Sequence, residues 1–180
     1  MANKIIPLRD FSPTSGKQYL FDTNIWMLLF CPLGNIKKDK QVKASKLLSY
    51  IISANAPIIL TSLILAEFSN AYLRLAFEQW RKTPENVSGK FKRDYFDTQD
   101  AIANREAIVG AINNILTIQF IQKFPDNFNN INISQVLANY KTIDINDLFI
   151  IESCRRNSWV LITHDGDFNK VDSGITIVNL

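Results

Sequence analysis

Residues 19–24 are Tyr-Leu-Phe-Asp-Thr-Asn, three apolar residues followed by an acid, a hydroxyl and an amide. A short apolar run of this kind predicts a buried strand, and Asp22 marks the point where that strand ends. A second apolar run, at 159–163, is followed two residues later by Asp165. The carboxyl ends of parallel strands meet along one edge of a sheet, and ligands bind at that edge. We therefore expect Asp22 and Asp165 to lie close together there.

Strands and helices alternate along the chain, which predicts a parallel sheet with helices on both faces. The predicted strands are 18–22, 57–60, 117–122, 159–163 and 175–178. The predicted helices are 23–30, 39–54, a long helix from about 62 to about 80, 98–116, 133–140 and 146–156. Pro32 and Gly34 end the first helix, and Thr61 or Ser62 caps the long one, which ends near Trp80. The expected fold is a three-layer α/β/α sandwich around a central parallel sheet of four to five strands. We expect one domain over residues 1–180, with residues 1–16 as an irregular N-terminal arm.

The positive charge of the chain is concentrated in two stretches. The net charge is +3, and the basic residues cluster at Lys37, Lys38, Lys40, Lys43 and Lys46, and again at Arg81, Lys82, Lys90, Lys92 and Arg93. An acidic site within a basic protein suits a polyanionic substrate, because basic flanks hold the phosphates. The alternative is that both stretches are ordinary solvated faces.

Composition argues against several other classes of protein. Cys31 and Cys154 are isolated, and with His164 as the single histidine they do not form a zinc site of any usual spacing. The N-terminal segment lacks the apolar core of a signal peptide, and no apolar run reaches membrane-spanning length. We expect a cytoplasmic protein without a membrane partner.

Two of the candidate acids lie at or near the start of a predicted helix. Asp22 is a good helix N-cap, which is its alternative role, although capping and metal binding are compatible. Glu67 lies one and a half turns into the helix that begins at the carboxyl edge of the sheet, so we expect it to face Asp22. The alternative for Glu67 is an ion pair with Arg74 at the solvent boundary.

The remaining acids lie in the last third of the chain. Asp147 stands at the mouth of a buried helix, which Asp144, Asn146 or Asp147 itself could cap. Asp165 and Asp167 flank Gly166, and a tight turn is the alternative explanation for that pattern. Because Asp165 is nearer the rigid strand, we expect it to matter more than Asp167. His164 is expected to be an exposed or capping residue rather than a catalytic base.

Four acids brought into one cleft require a positive partner. Like charges at contact distance repel strongly in a partly desolvated site. A hard divalent cation resolves that repulsion, since Mg²⁺ and Mn²⁺ prefer oxygen ligands. The sequence therefore predicts a metal-dependent hydrolase with an all-acidic site.

The motifs that carry these acids resemble those of the PIN domain family (PilT N-terminus-like ribonucleases), which includes VapC-type toxins. The similarity is carried by Phe-Asp-Thr-Asn at 21–24, Leu-Ala-Glu at 65–67, Asn-Asp-Leu-Phe-Ile at 146–150 and Leu-Ile-Thr-His-Asp-Gly-Asp-Phe at 161–168. Each motif is short, but four in this order are fairly specific, and they span nearly the whole chain from residue 18 onward. The chain is longer than a minimal VapC-type toxin, and the extra length is expected at 81–132 as a family-variable elaboration.

The resemblance implies a fold, a site and an activity. It implies that Asp22, Glu67, Asp147 and Asp165 are catalytic metal ligands, with Asp167 as an auxiliary acid at the metal. Thr23, Asn24 and Thr163 would support them. The implied activity is that of an Mg²⁺- or Mn²⁺-dependent endoribonuclease on single-stranded RNA, acting as the toxin of a toxin–antitoxin pair. An antitoxin protein and a second copy of this chain are the implied protein partners.

Other interpretations stay open at this point. One is a catalytically inactive PIN-like module that binds RNA or protein. Another is a haloacid-dehalogenase-like phosphatase, which is disfavoured because that chemistry needs a second Asp where this chain has Asn24. Candidate groups for stacking on RNA bases are Trp26, Trp80, Tyr95 and Phe96, although each could instead belong to the core. The apolar helix at 98–116 is the candidate homodimer face.

Overall fold

Parallel strands form one sheet in this computed structural model, which describes residues 1–33, 38–126 and 128–180. The six strands found in those ranges are β1 (Lys4–Pro7), β2 (Tyr19–Phe21), β3 (Ile58–Leu60), β4 (Ile121–Lys123), β5 (Val160–Thr163) and β6 (Thr176–Asn179). They lie in the order β1-β6-β5-β2-β3-β4, and every neighbouring pair is parallel. The predicted central parallel sheet is confirmed.

Helices connect the strands and pack against the sheet. They are α1 (Thr23–Phe30), α2 (Lys38–Ser53), α3 (Ser62–Trp80), α4 (Gln99–Leu116), α5 (Ile133–Asn139) and α6 (Ile145–Asn157). Short 3₁₀ turns occur at Leu8–Asp10, Phe128–Asn130 and Asp167–Lys170, and a π turn at Phe91–Tyr95. The three-layer α/β/α architecture is the one predicted from the alternating pattern. Among the described residues, no helix combines the length and apolar character that crossing a membrane requires.

The register of the central strands sets the position of the candidate site. Leu20 on β2 pairs with Leu161 on β5 and with Ile59 on β3, and all three side chains are buried. Because both faces of these strands are covered by helices, every position carries an apolar residue except Thr163 at the carboxyl end of β5. The backbone N–H of Asp22 donates to the carbonyl of Ile162 at 2.9 Å, so both strands end at the same level.

Two expectations about strands were wrong. Residues 1–16 were predicted to be irregular, but Lys4–Pro7 forms edge strand β1 beside β6, so the sheet has six strands in the described part of the chain rather than four to five. The side chains of β1 are all exposed or half-buried, because this strand lies at the edge of the sheet. It therefore lacks the long apolar run that marks a central strand. The strand predicted at 117–122 is β4 at Ile121–Lys123, preceded by a turn in which Phe120 has a φ of +66°.

Residues 81–132 supply both a helix and an edge strand. Helix α4 packs on α3, and its N-terminus is capped by Thr98, whose side chain accepts a hydrogen bond from the N–H of Ala101 at 3.1 Å. Strand β4 pairs with β3. That this region is a family-variable elaboration of a single domain stays a prediction. Gly34, the expected helix stop, and Lys37 lie outside the described residues.

Candidate active site

An open cleft of about 440 Å³ lies at the carboxyl edge of the central strands. It brings together the four acids that the sequence singled out, from four different elements of the fold. The cleft is lined by Asp22, Thr23, Asn24, Met27, Leu28, Glu67, Ala71, Leu75, Asp144, Asp147, His164 and Asp165. Acids that are far apart along the chain therefore share one solvent-accessible space.

Asp22 is the deepest acid of the cleft, since its residue is only 4% exposed. It occupies the N-cap position of α1, but its Oδ2 accepts hydrogen bonds from Thr163 Oγ1 at 2.7 Å and from the Asn24 side-chain amide. Burial, with the neighbouring charges of Glu67 and Asp165, raises the pKa of Asp22 to about 7, against the lowering effect of the Thr163 hydrogen bond. Asp22 therefore lies in a site that disfavours its own charge.

Thr163 and Asn24 form a polar network that joins Asp22 to Asp165. The Thr163 hydroxyl accepts from Asn24 Nδ2 at 3.0 Å and from the backbone N–H of Asp165 at 2.9 Å, while it donates to Asp22. Asn24 Oδ1 in turn accepts from the backbone N–H of His164 at 3.2 Å. The side chain predicted to orient an acid, Thr163, thus contacts two acidic residues at once.

Glu67 enters the cleft from helix α3. Its Oε2 accepts a hydrogen bond from Thr23 Oγ1 at 2.7 Å, on the helix that follows Asp22. The alternative ion pair with Arg74 is wrong, because the Arg74 guanidinium lies over the Phe91 ring, 4.8 Å from its centre. Glu67 therefore faces α1 and the cleft, as its helix position predicted.

Asp147 lies in the first turn of α6. Of the three candidate caps it is Asp144 that caps this helix, since its Oδ1 accepts from the backbone N–H of Asn146 at 2.8 Å. The Asp147 carboxylate is thus free of a capping role. Burial, and then the charges of Asp22, Glu67 and Asp165, raise the pKa of Asp147 to about 7.

Asp167 differs from the other candidate acids in its surroundings. Asp165 lines the cleft, whereas the Asp167 carboxylate pairs with Lys170 Nζ at 2.7 Å on the 3₁₀ turn and is not among the lining residues. The backbone N–H of Asp167 donates to Asp165 Oδ1 at 2.9 Å. The turn therefore positions Asp165, and its second acid has a cation of its own.

Several residues of the cleft were not singled out from the sequence. Asp144 was considered only as a cap, and His164 was expected to be an exposed or capping residue rather than a catalytic base, yet both line the cleft. Ala71 and Leu75 follow Glu67 at successive four-residue steps along α3, and Met27 lies one turn after Asn24 on α1. That helical spacing is a signal that could have identified them.

The predicted stacking aromatics lie elsewhere. Trp26 and Tyr95 are completely buried in the core, so a stacking role on RNA is wrong for both. Phe96 is 41% exposed but has the Arg105 guanidinium 4.5 Å from its ring centre. Trp80 is half-buried against Phe77.

The described residues of the two basic stretches also lie outside the cleft lining. Lys38, Lys43 and Lys46 on α2 are exposed and Lys40 is half-buried. In the second stretch, Arg81 pairs with Glu78 at 3.6 Å and Arg93 with Asp94 at 2.7 Å. These contacts agree with the solvated-face alternative for part of the second stretch.

The donor set of the cleft fits a hard divalent cation. All of the candidate ligands are carboxylates, and two of them, Asp22 and Asp147, have pKa values raised to about 7 partly by their acidic neighbours. A cation would remove that repulsion. In the described part of the chain, no three acidic, histidine or cysteine side chains converge closely enough to hold one ion.

The parallel sheet and the acid-lined cleft at its carboxyl edge define an α/β protein with an acidic cleft at the ends of its central strands. The family model for the PIN domain matches residues 19–174, and the chain belongs to that family. The resemblance seen in the four short motifs is thereby confirmed.

A solved structure gives the same fold. The crystal structure of VapBC2 from Rickettsia felis, bound to a DNA fragment from the VapBC2 promoter, contains a chain that is similar to this protein. The TM-score is 0.55 and the sequence identity is 14%, and the match covers 89% of this chain and 98% of that chain. At this identity the likeness shows the shared fold alone. Among curated proteins, no significant match to the sequence is found.

Proposed function

We propose that this protein is a metal-dependent endoribonuclease that hydrolyses phosphodiester bonds of single-stranded RNA. The observation that carries the proposal is the cleft in which Asp22, Glu67, Asp147 and Asp165 come together, two of them with pKa values near 7. Members of the PIN domain family are generally nucleases that use divalent metal ions. An unpaired cluster of acids is what such a site requires.

The four acids would hold Mg²⁺ or Mn²⁺, the hard cations that all-oxygen sites select. When bound, such an ion supplies Lewis-acid activation of water and neutralises charge that develops on the phosphate. The chain's own contribution is orientation. Thr163 and Asn24 fix the Asp22 carboxylate, and Thr23 fixes that of Glu67, through the hydrogen bonds described above.

A direct test is cleavage of an end-labelled single-stranded RNA with Mg²⁺, with Mn²⁺ and with excess EDTA. Cleavage is expected with either ion and none with EDTA. The same sequence as single-stranded DNA separates a ribonuclease from a general nuclease. Full cleavage in EDTA, or none under any condition, would contradict the proposal.

The fold similarity to VapBC2 supports a second proposal, that the protein is the toxin of a toxin–antitoxin pair in the cytoplasm. An antitoxin, encoded next to this gene, would then bind the protein and block its cleft. Induced expression should arrest growth of a bacterial host, and co-expression of the neighbouring product should restore growth. Arrest that persists in the Asp22→Asn variant would rule out RNA cleavage as its cause.

A homodimer is a further proposal. Helix α4 buries Ala101, Ile108 and Ala111, and it packs against α3, so its inner face is already used. Its outer face, with Val109 at 59% exposure, is the part left for a partner copy. Light scattering over a range of protein concentrations tests this, and a mass of one chain at every concentration would exclude it.

A catalytically inactive binding module is the second candidate function. It is favoured by the absence, in the described residues, of three acids that converge on one ion. Mn²⁺ titration by calorimetry separates the candidates, because a nuclease site should bind the ion and the Asp22→Asn variant should bind it more weakly. RNA binding without any Mn²⁺ binding would favour the module.

A further inference from the structure

The cleft has more room than metal ions need. Its volume of about 440 Å³ compares with roughly 30 Å³ for each water molecule in the liquid. It falls within the range of about 300–1,000 Å³ typical of pockets for small organic molecules. Space therefore remains for a part of the substrate beside the acids.

One wall of that space is apolar. It is formed by Met27 from α1 and by Ala71 and Leu75 from α3, all of them half-buried in the otherwise well-packed core region. Glu67, Ala71 and Leu75 are spaced four residues apart, so they lie on one face of α3. The apolar wall thus begins at an acid of the site and extends along the helix, with α1 packed alongside.

We propose that Met27, Ala71 and Leu75 bind one unpaired nucleobase of the RNA, next to the phosphate at the acids. This inference rests on the proposed function, and it assigns the part of the substrate that the wall contacts. A phosphate or ribose hydroxyl gains nothing from an apolar wall, whereas the flat face of a base does. The base must be unpaired, because a base inside a duplex is stacked on both faces.

The wall would also give selectivity for single-stranded RNA without a Phe, Tyr or Trp side chain in the cleft lining. Trp26 and Tyr95 are buried, so neither can stack on a base. Selectivity for unpaired RNA then comes from an aliphatic slot beside the acids. A double-stranded RNA would have to extrude a nucleotide to reach the same acids, at a cost of a few kcal/mol.

The methionine content of the chain allows a test that needs no catalysis. The chain has two methionines, Met1 and Met27, so ¹³C-methyl labelling of methionine gives one reporter in the cleft and one at the N-terminus. Met1 is fully exposed and serves as the internal control. The probes are adenosine 5′-monophosphate and ribose 5-phosphate, each titrated with Mg²⁺ present.

The nucleotide is expected to shift the Met27 methyl signal through the ring current of its base, and to bind about tenfold more tightly than ribose 5-phosphate. The Met1 signal should not move. Equal affinity of both probes, or a Met27 signal that neither probe moves, would overturn the proposal. A Met27 signal that moves only when a protein partner is added would overturn it in favour of a protein segment in the slot.

Two variants sharpen the test. Ala71→Trp fills the slot and should abolish the advantage of the nucleotide over ribose 5-phosphate, whereas Ala138→Trp, on the exposed side of α5, should leave it unchanged. Leu75→Ala, which only shortens the wall, should reduce the same advantage severalfold even if the larger substitution disturbs folding. The inference would be wrong if Leu75→Ala and a folded Ala71→Trp both bind the nucleotide more tightly than ribose 5-phosphate by the same factor as the wild type.

The outcomes also separate this inference from the proposed function. If the wild-type protein cleaves RNA but shows no preference for the nucleotide, the ribonuclease proposal stands and the proposed base-binding wall is wrong. If the protein prefers the nucleotide but cleaves no RNA, the base-binding wall stands and the ribonuclease proposal is wrong. Cleavage of duplex RNA at the rate of single-stranded RNA would count against the slot alone.

Discussion

Two carboxylates of this protein are almost equally buried, yet their surroundings differ completely. Asp22 is 4% exposed and Glu152 is 3% exposed. Glu152 accepts two hydrogen bonds of 2.8 Å from Arg155 and one of 3.2 Å from the backbone N–H of Asn132. Asp22 accepts hydrogen bonds from neutral groups, Thr163 and Asn24, and has acids as its charged neighbours.

The hydrogen bonds from Arg155 and Asn132 decide the direction of the pKa shift at Glu152, whereas burial is the largest cause of the shift at Asp22. Burial alone would raise the pKa of Glu152, but the hydrogen bonds from Arg155 and Asn132 bring it below its ordinary value. For Asp22, burial and like charge act in the same direction, and the pKa rises to about 7. Glu152 is therefore an acid that the chain itself neutralises, whereas Asp22 has no ion-pair partner among the described residues and, in the proposed metal site, would receive a cation from outside the chain.

The largest effect that would test this contrast is the loss of activity in Asp22→Asn. Its rate of RNA cleavage should fall roughly a thousandfold, more than the 10–100-fold typical of losing a group that only supports a metal ligand. The metal-free variant should be as stable as wild type or more stable, because one repelling charge is removed. Cleavage rates and urea unfolding measure the two quantities.

Asp97→Asn is the matched control for that substitution, since Asp97 is exposed and outside the cleft. It should change neither quantity. An Asp22→Asn variant that unfolds, while Glu67→Gln remains folded and fully active, would make Asp22 a structural acid like Glu152.

The next effect compares the two acids of one turn. Asp165→Ala should reduce Mn²⁺ affinity and the cleavage rate about 100-fold, whereas Asp167→Ala should change both by less than about threefold. The reason is that Asp165 lines the cleft and Asp167 is paired with Lys170. Mn²⁺ titration and cleavage at saturating metal provide the comparison. Equal losses would mean that both acids bind metal, and a larger loss for Asp167 would reverse the assignment.

A third effect is the pH dependence of stability in the metal-free protein. The pKa of Asp22 and of Asp147 is about 7 in the folded protein, against an ordinary value of 3.8. The folded state then binds more protons between these values, so stability falls as pH rises from about 4 to about 7. We expect a loss of about 3 kcal/mol between pH 5 and pH 8. One acid with a folded pKa of about 7 supplies about two pKa units over that range, at about 1.4 kcal/mol each, and the second adds little because the two acids are coupled and Asp147 is only half-buried.

Urea unfolding in EDTA at both pH values measures this slope. Saturating Mg²⁺ should reduce the change in the free energy of unfolding between the two pH values, and so should the Asp22→Asn substitution. Glu152 does not contribute in this range, because its pKa lies below its ordinary value of 4.5. If the free energy of unfolding in EDTA instead rises from pH 5 to pH 8, burial and mutual repulsion do not raise the pKa values of these acids.

The smallest expected effect belongs to the structural acid. Glu152→Gln should lower the free energy of unfolding by about 1–2 kcal/mol, since Arg155 and Arg156 lose their charged partner while staying partly solvated. Cleavage per folded molecule should be unchanged. Glu85→Gln, at an exposed position, is the matched control and should alter neither. A variant with normal stability and lost activity would place Glu152 in the functional site.

Much of the fold followed from local patterns. The apolar runs of β2, β3 and β5 and the helical spacing of α1, α3 and α4 predicted those elements closely, because both strand faces and one helix face are buried. Edge strand β1 was missed because few of its side chains are buried, so hydrophobic periodicity is weak there. The stacking role expected of Trp26 and Tyr95 failed for the opposite reason, since aromatic content alone does not distinguish core from surface.

The sequence by itself determined that acids follow apolar strands and that their short motifs belong to the PIN domain family. Those properties are local, because they depend on residue type and spacing. The tertiary structure alone decided which donor each acid receives, since Thr163 lies 141 residues from Asp22 and Thr23 lies 44 from Glu67. It also decided that Asp167 has Lys170 as its partner, and that Met27 of α1 lines the same cleft as Ala71 of α3. A carboxylate's charge state depends on its neighbours in space, and the packing of helices on the sheet sets those neighbours.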